Sequence, residues 1–97
     1  MPIKIRTSFY GLSDRPKMYF VYIRYNKYIS WEFCMRVLIE VFHKNKEDAK
    51  MITEEILSNG EGICGAYLFE VAETKANIVE ELAKKEEFSM SCLIEEI

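Results

Sequence analysis

Hydrophobic positions recur along this chain with periods that change between two and 3.6, which predicts strands and helices in a definite order. Short runs of turn-forming or capping residues separate the periodic segments. The predicted elements are a strand at 17–25, a helix at 31–42, a helix between Asn45 and Gly60, a strand at 63–69, a helix at 70–86 and a strand at 89–95. This order predicts an α+β fold, β-α-α-β-α-β, with a small antiparallel sheet and three helices packed on one face.

Residues at the predicted helix ends support these boundaries. Ser30 and Asn45 are suitable N-caps for the first two helices, and Gly60 can supply the left-handed residue that ends the second. The segment Gly60-Glu61-Gly62 is predicted to be a turn before the second strand. In the third helix, one face carries small and branched apolar side chains that are expected to be buried: Ala72, Ala76, Val79 and Ala83.

Length and composition predict one small domain. The chain has 97 residues, 49 % of them hydrophobic, and no run of 18 apolar residues, so we expect a cytoplasmic protein without a membrane segment. Residues 46–97 carry five basic and thirteen acidic side chains, an imbalance that argues against nucleic acid as a partner. Residues 1–15 lack a sustained period and are predicted to form a flexible N-terminal arm before a domain at 16–97.

The sequence lacks the usual signs of catalysis. Three cysteines about thirty residues apart and a single histidine, His43, match no zinc or redox spacing. A Cys–His nucleophile would have to pair His43 with Cys34 or Cys64, and neither cysteine has a recognisable local signature. We therefore expect no enzyme, no cofactor and no metal, and three buried cysteines.

Several segments resemble the ClpS family, the adaptor of the ClpAP protease. The strongest is Cys-Gly-x-Tyr-x-x-Glu-Val-Ala-x-Thr-Lys at 64–75, and the resemblance extends from Pro16 to Glu96. It includes Pro16-Lys17-Met18-Tyr19, Trp31-Glu32-Phe33 and the tail Cys92-Leu93-Ile94-Glu95. The resemblance implies the ClpS fold, which is similar to the C-terminal domain of the ribosomal stalk protein.

The resemblance also implies a function and a partner. ClpS proteins dock on the N-terminal domain of ClpA, an AAA+ unfoldase, and modulate substrate delivery for ATP-dependent proteolysis. Glu70 and Lys75 match the glutamate and lysine that are thought to make this contact. On the residues alone, Glu70 could simply complete a helix start and Lys75 could be a solvated helix residue.

ClpS proteins also bind the first residue of an N-degron peptide in a pocket with an apolar cup and an amine-binding loop. The loop here is Tyr25-Asn26-Lys27-Tyr28-Ile29 where the family has Asn-Asp-Asp-Tyr-Thr, and Leu57 replaces the family's histidine. Trp31 stands where Met is usual in the family. It lies on the same helical stripe as apolar residues that are expected to be buried, so we expect it to form a partly buried wall of the pocket. The positions matching the pocket are Tyr25, Asn26, Tyr28, Ile29, Trp31, Cys34, Thr53, Ile56, Leu57 and Met90.

Three functional alternatives remain open on the sequence. The first is an adaptor that docks on the unfoldase and recognises N-degron peptides through an altered amine site. The second is a ClpS-like domain that regulates the unfoldase, or binds another peptide, without N-degron recognition. The third is a structural or self-associating protein that uses the apolar side chains of Phe20 and Tyr22.

Overall fold

The computed structural model describes residues 16–97, and the predicted N-terminal arm lies outside the described residues. The predicted element order is confirmed. The elements are β1 (Met18–Tyr25), α1 (Trp31–Glu40), α2 (Lys46–Asn59), β2 (Glu61–Leu68), α3 (Phe69–Lys85) and β3 (Met90–Glu96).

The three strands form one antiparallel sheet in the order β2-β1-β3. β1 is therefore the central strand, and its middle residue Tyr22 lies opposite Ile63 on β2 and Leu93 on β3. The register between β1 and β2 shifts between Val21 and Tyr22, a bulge that increases the local twist of the strand pair. The sheet has one face towards the helices and one face without a helical layer, as the alternation of buried and exposed residues on β1 shows.

The core lies between the inner sheet face and the helices. Val21 and Ile23 of β1 are fully buried, and they join apolar side chains from all three helices. The predicted buried stripe of α3 is confirmed at each of its four positions, from Ala72 to Ala83. Small side chains on this stripe allow α3 to pack closely against the sheet, which fixes the position of the helix start at Phe69.

The predicted caps are formed. The Ser30 hydroxyl accepts a hydrogen bond from the Phe33 backbone N–H at 3.0 Å, and the Asn45 side-chain oxygen accepts one from Asp48 at 2.8 Å. Gly60 ends α2 with φ of 86°, in the left-handed region where a Cβ is unfavourable. These contacts hold the β1–α1 loop and the α1–α2 loop, which carry much of the candidate site.

The second strand begins earlier than the sequence predicts. Glu61 and Gly62 belong to β2 and not to a turn, and of the three residues 60–62 only Gly60 has a positive φ. Arg24 of β1 donates a hydrogen bond to Glu61 at 2.9 Å, which extends the pairing to this end of the sheet. A Cβ on Gly62 would lie 2.7 Å from Cγ1 of Ile56, so glycine at this position allows α2 to contact the strand directly.

Candidate functional site

The two predicted docking residues lie on one side of the domain, on the first turns of α3. Glu70 is exposed, and its backbone carbonyl accepts a hydrogen bond from the Thr74 hydroxyl at 2.9 Å. Lys75 is half-buried, and its ammonium donates a hydrogen bond to the backbone carbonyl of Val41 at 2.6 Å. Lys75 is therefore not the solvated helix residue that the sequence left open as an alternative.

Lys75 completes the end of α1. No basic residue occurs in the last turn of α1, where exposed carbonyl groups favour a positive charge, and Val41 is the C-cap. Lys75 supplies that charge from α3, and its Nζ also lies 5.2 Å from the ring centre of Tyr67 and 6.0 Å from that of Phe42. Because burial raises the pKa of Tyr67, this ring stays neutral beside the ammonium. Lys75 thus joins α1, α3 and β2.

A groove lies between the end of α1 and the start of α3. It encloses about 490 Å³ and has two exposed apolar side chains, Val71 at 43 % and Ile78 at 44 % exposure. His43 lines the groove after the end of α1 and has a positive φ of 56°. The next residue, Lys44, donates its backbone N–H to the Leu38 carbonyl at 2.9 Å. The lining consists of Glu40, Val41, His43, Glu70, Val71, Thr74, Lys75 and Ile78.

The sequence prediction of this surface was incomplete, because it named the charged pair and missed the apolar residues between them. Val71 and Ile78 are seven residues apart, which places them on one face of α3. Neither belongs to the buried stripe of that helix. Two branched apolar side chains at this spacing, beside a separate buried stripe, were a usable signal of an exposed apolar surface.

The predicted peptide-pocket residues fall into three groups by burial. The rim is exposed to solvent, the walls are half-buried, and the floor has at most 2 % exposure. The rim is Asn26, Tyr28 and Trp31; the walls are Tyr25, Leu57 and Met90; the floor is Ile29, Cys34, Thr53 and Ile56. The four floor positions are closed to solvent in this structure, so their use as a peptide pocket stays a prediction.

Tyr25 and Leu57 are linked across the pocket. The Tyr25 hydroxyl donates a hydrogen bond to the Leu57 backbone carbonyl at 2.9 Å, which ties β1 to the last turn of α2. The hydroxyl proton of Tyr25 is therefore used within the fold, and its oxygen can still accept. Asn26 and Lys27 are exposed on the loop that follows β1, and the Asn26 N–H donates to the Ser89 carbonyl at 3.1 Å.

Aromatic residues dominate the exposed rim. Tyr28 is 65 % exposed, and its ring centre lies 6.0 Å from Phe88, which in turn packs 5.0 Å from Phe33. Trp31 is 37 % exposed at the first position of α1. It is less buried than Cys34, which has no exposure. Trp31 is therefore partly buried at the start of α1, and its place in the pocket stays a prediction.

The pocket floor contains one polar atom without a partner. Thr53 is fully buried on the inner face of α2, and its hydroxyl makes no hydrogen bond within the described residues. A buried hydroxyl without a partner has lost its contacts with water and gained none in the fold. The buried Thr53 hydroxyl therefore lowers the free energy of unfolding relative to an apolar side chain of similar volume.

The cysteines are not suited to nucleophilic catalysis. All three are buried and free of disulfides. Burial raises the pKa of Cys34 to about 11, and burial together with the Glu80 carboxylate raises the pKa of Cys92 to about 12. Burial also raises the pKa of Cys64. All three thiols are thus protonated at neutral pH, whereas nucleophilic chemistry requires the thiolate.

Residues 16–97 contain neither a metal-binding group nor a membrane-spanning helix. Within that range no group of three histidine, cysteine, aspartate or glutamate side chains could hold a metal ion. None of the helices there combines the length and the apolar character needed to cross a membrane. Three helices on one face of an antiparallel sheet, with a groove between α1 and α3, define a small α+β domain.

The chain belongs to the ClpS family of adaptors of the ATP-dependent Clp protease. A family model described as the ATP-dependent Clp protease adaptor protein ClpS matches residues 14–93. The ClpS adapter of Helicobacter hepaticus is 36 % identical over 91 residues, which cover 94 % of this chain and 92 % of the relative. That of Nitratidesulfovibrio vulgaris strain DP4 is 43 % identical over 82 residues, covering 84 % and 79 %.

A solved structure has the same fold. The structure of Agrobacterium tumefaciens ClpS2 bound to L-phenylalaninamide matches with a TM-score of 0.78 and 26 % sequence identity. The match covers 86 % of this chain and all of that chain. The family assignment and the α+β fold predicted from the sequence are thereby confirmed.

Proposed function

We propose that this adaptor docks on the N-terminal domain of a ClpA-type unfoldase through the α1–α3 groove, and that it modulates substrate delivery to the protease. The observation that carries the proposal is the position of Glu70. It is an exposed carboxylate at the rim of an apolar groove, on the helix turn where the family's docking glutamate is expected. A rim charge around an apolar centre is the usual organisation of a protein interface.

The two matched residues have different roles in this proposal. Glu70 contacts a basic side chain of the unfoldase directly, and Val71 and Ile78 provide apolar contact area. Lys75 acts mainly as a positioning residue, since its ammonium is already bonded to the Val41 carbonyl and packed on Tyr67. Lys75 thereby holds the end of α1 beside α3, so that both walls of the groove keep their spacing.

The test is calorimetric titration of the ClpA N-terminal domain with the full chain and with Glu70→Lys. Exposed charge contacts usually contribute little, so we expect binding to weaken by about 1–2 kcal/mol, with the loss reduced at high salt. The matched control is Glu73→Lys, an exposed glutamate on the same helix outside the groove lining. Equal effects of the two substitutions would contradict docking through this groove.

A second proposed function is regulation of the unfoldase without tight N-degron recognition. The ClpS2 relative binds L-phenylalaninamide, a bulky residue with a free amine, and the same use of the pocket is one candidate here. Three features of this chain oppose it. The floor has no access to solvent, Lys27 puts a positive charge on the amine-binding loop, and Leu57 offers no side-chain acceptor.

The two functions are separated by short peptides that differ in their first residue. We expect peptides beginning with Leu, Phe, Tyr or Trp to bind weakly, and acetylation of the amine to change little. Tight binding that is lost when the peptide amine is acetylated would instead support N-degron recognition. In that case, backbone carbonyls or water would have to replace the missing side chains.

A further inference from the structure

The face of the sheet opposite the helices is unusually apolar. Val21 and Ile23 of β1 belong to the core. Phe20 and Tyr22, which alternate with them along the strand, do not join the core cluster. Strand pairing places apolar residues of β2 and β3 beside them, several of which are exposed. We call this surface the outer sheet face; its apolar members are Met18, Phe20, Tyr22, Ile63, Leu68 and Leu93.

One end of the outer sheet face is acidic. A concavity of about 330 Å³ beside Tyr22 and Ile63 is bordered by the carboxylates of Glu55, Glu61 and Glu95. Glu61 is paired with Arg24, and Glu95 accepts a hydrogen bond from the Tyr22 hydroxyl at 3.2 Å. Within residues 16–97, Glu55 forms no ion pair. The concavity therefore carries an excess of negative charge next to apolar and aromatic surface.

The charge of this face argues against pairing with a second copy. A parallel face-to-face dimer would bring two such acidic concavities together, and like charges across an interface are unfavourable. An antiparallel one would place each concavity against the apolar end of the face at Met18 and Leu68. The face instead fits a segment that carries basic and apolar residues in turn. Such a segment would place its cations at the carboxylates and its apolar side chains on Phe20, Tyr22 and Leu93.

Residues 1–15 have this composition. They contain three basic residues, Lys4, Arg6 and Arg15, and a single acidic residue, Asp14. Their apolar residues alternate with the first two cations and then continue towards Pro16: Ile3, Ile5, Phe9, Tyr10 and Leu12.

The segment can also reach the face. It is joined through Pro16 to the beginning of β1, beside Met18 at one end of the outer sheet face. β1 has eight residues and is about 26 Å long, whereas fifteen extended residues span at most about 50 Å. Arg15 precedes a proline, which favours an extended backbone at the junction, and Gly11 allows the chain to reverse.

We infer that residues 3–12 dock in cis on the outer sheet face, with Lys4 and Arg6 at the acidic concavity beside Tyr22. The covalent connection raises the effective concentration of the segment at the face, so modest contacts are sufficient. Docking covers Phe20 and Tyr22 and competes with any partner that uses residues 1–15. The inference is independent of the groove on the opposite side of the domain and of the proposed unfoldase contact.

The test uses paramagnetic relaxation in the full chain. Ser8→Cys carries a nitroxide, and the label reacts selectively because Cys34, Cys64 and Cys92 are buried. We expect strong loss of amide signal at Tyr22, Ile63 and Leu93 and little loss at Val71 and Ile78. Lys4→Glu with Arg6→Glu restores the lost signals, and so does high salt in part. The matched control, Lys84→Glu with Lys85→Glu on α3, leaves the signal losses unchanged.

Three outcomes would overturn the inference. The first is a labelled chain without localised signal loss. The second is signal loss centred on the helix side of the domain. The third is revealed by mixing isotope-labelled chain with nitroxide-labelled chain lacking the isotope, since signal loss in the mixture places residues 3–12 on another copy. Amide chemical shifts recorded after chemical reduction of the nitroxide report in every variant that the fold persists.

Discussion

The α1–α3 groove and the predicted peptide pocket lie on the same domain but differ in how far their residues match those that the family resemblance implies. At the groove, both Glu70 and Lys75 are present, and Lys75 is fixed by the Val41 carbonyl and by two aromatic rings. At the pocket, the apolar floor is kept, whereas the loop residues Asn26 and Lys27 and the α2 residue Leu57 replace polar groups of the family. One lining residue of the groove is thus held in place by the fold, whereas the floor positions of the predicted pocket are closed to solvent.

This difference shows how the fold itself constrains change. Lys75 supplies the positive end-charge that α1 lacks, so its replacement would disturb two helices, and on the proposed function also a partner contact. Lys27 is exposed on a loop and has no ion pair within residues 16–97, so its replacement has little structural cost. A residue used both in the fold and in binding is harder to replace than one used only in binding.

The largest expected effect comes from restoring the polar groups of the pocket with Asn26→Asp, Lys27→Asp and Leu57→His together. Each charge-assisted hydrogen bond to the peptide amine contributes about 1.5–3 kcal/mol, so two of them strengthen binding by about 3–6 kcal/mol. This corresponds to roughly two to four decades in the Kd of a peptide that begins with Phe. Fluorescence anisotropy with free and acetylated peptides measures the gain.

The acetylated peptide is the control for this triple substitution, because it lacks the ammonium. If it gains as much affinity as the free peptide, the new side chains do not act on the amine. Binding to the ClpA N-terminal domain provides a second control, since the substitutions lie outside the groove lining and should leave it unchanged.

The second effect concerns the α1–α3 groove. Lys75→Met keeps an unbranched apolar stem but removes the ammonium from the Val41 carbonyl, and we expect a loss of about 1–3 kcal/mol in unfolding free energy. Urea denaturation followed by circular dichroism measures it. Lys50→Met is the matched control, since Lys50 is exposed on α2 and should change stability by about 0.5 kcal/mol or less. Equal stability of both variants would show that Lys75 does not fix the end of α1.

Local features of the fold could be predicted from the sequence, whereas contacts between distant residues could not. The caps at Ser30, Asn45 and Gly60 depend on residues next to the helix ends, and all three form. The contact between Lys75 and Val41 joins positions 34 residues apart, and no periodicity reports it. The same limit applies to Gly62, which was predicted as part of a turn and is instead buried against α2.

The third effect is at the pocket rim. Burying a large aromatic side chain completely is worth about 3–5 kcal/mol against alanine, but Trp31 is 37 % exposed and ends at solvent. We therefore expect Trp31→Ala to lower the unfolding free energy by only about 1–2 kcal/mol, because no closed cavity remains. Thermal denaturation measures this loss. The same variant should bind bulky first residues more tightly if Trp31 restricts entry to the cup, and unchanged peptide binding would place the restriction elsewhere.

The smallest effect has the opposite sign and tests the pocket floor. Thr53→Val replaces a buried hydroxyl by a methyl group of similar volume, and the hydroxyl has no hydrogen-bond partner within the described residues. Removal of an unsatisfied polar atom eliminates its desolvation cost, so we expect the domain to become more stable by about 1 kcal/mol. For a domain of this size, that change raises Tm by roughly 4–8 °C.

The exposed residue Thr74 is the control for this substitution. Its hydroxyl donates to the Glu70 carbonyl, and Thr74→Val should leave Tm nearly unchanged or lower it slightly. If Thr53→Val instead lowers Tm, the hydroxyl is satisfied in solution, and the floor of the pocket holds a polar partner such as water.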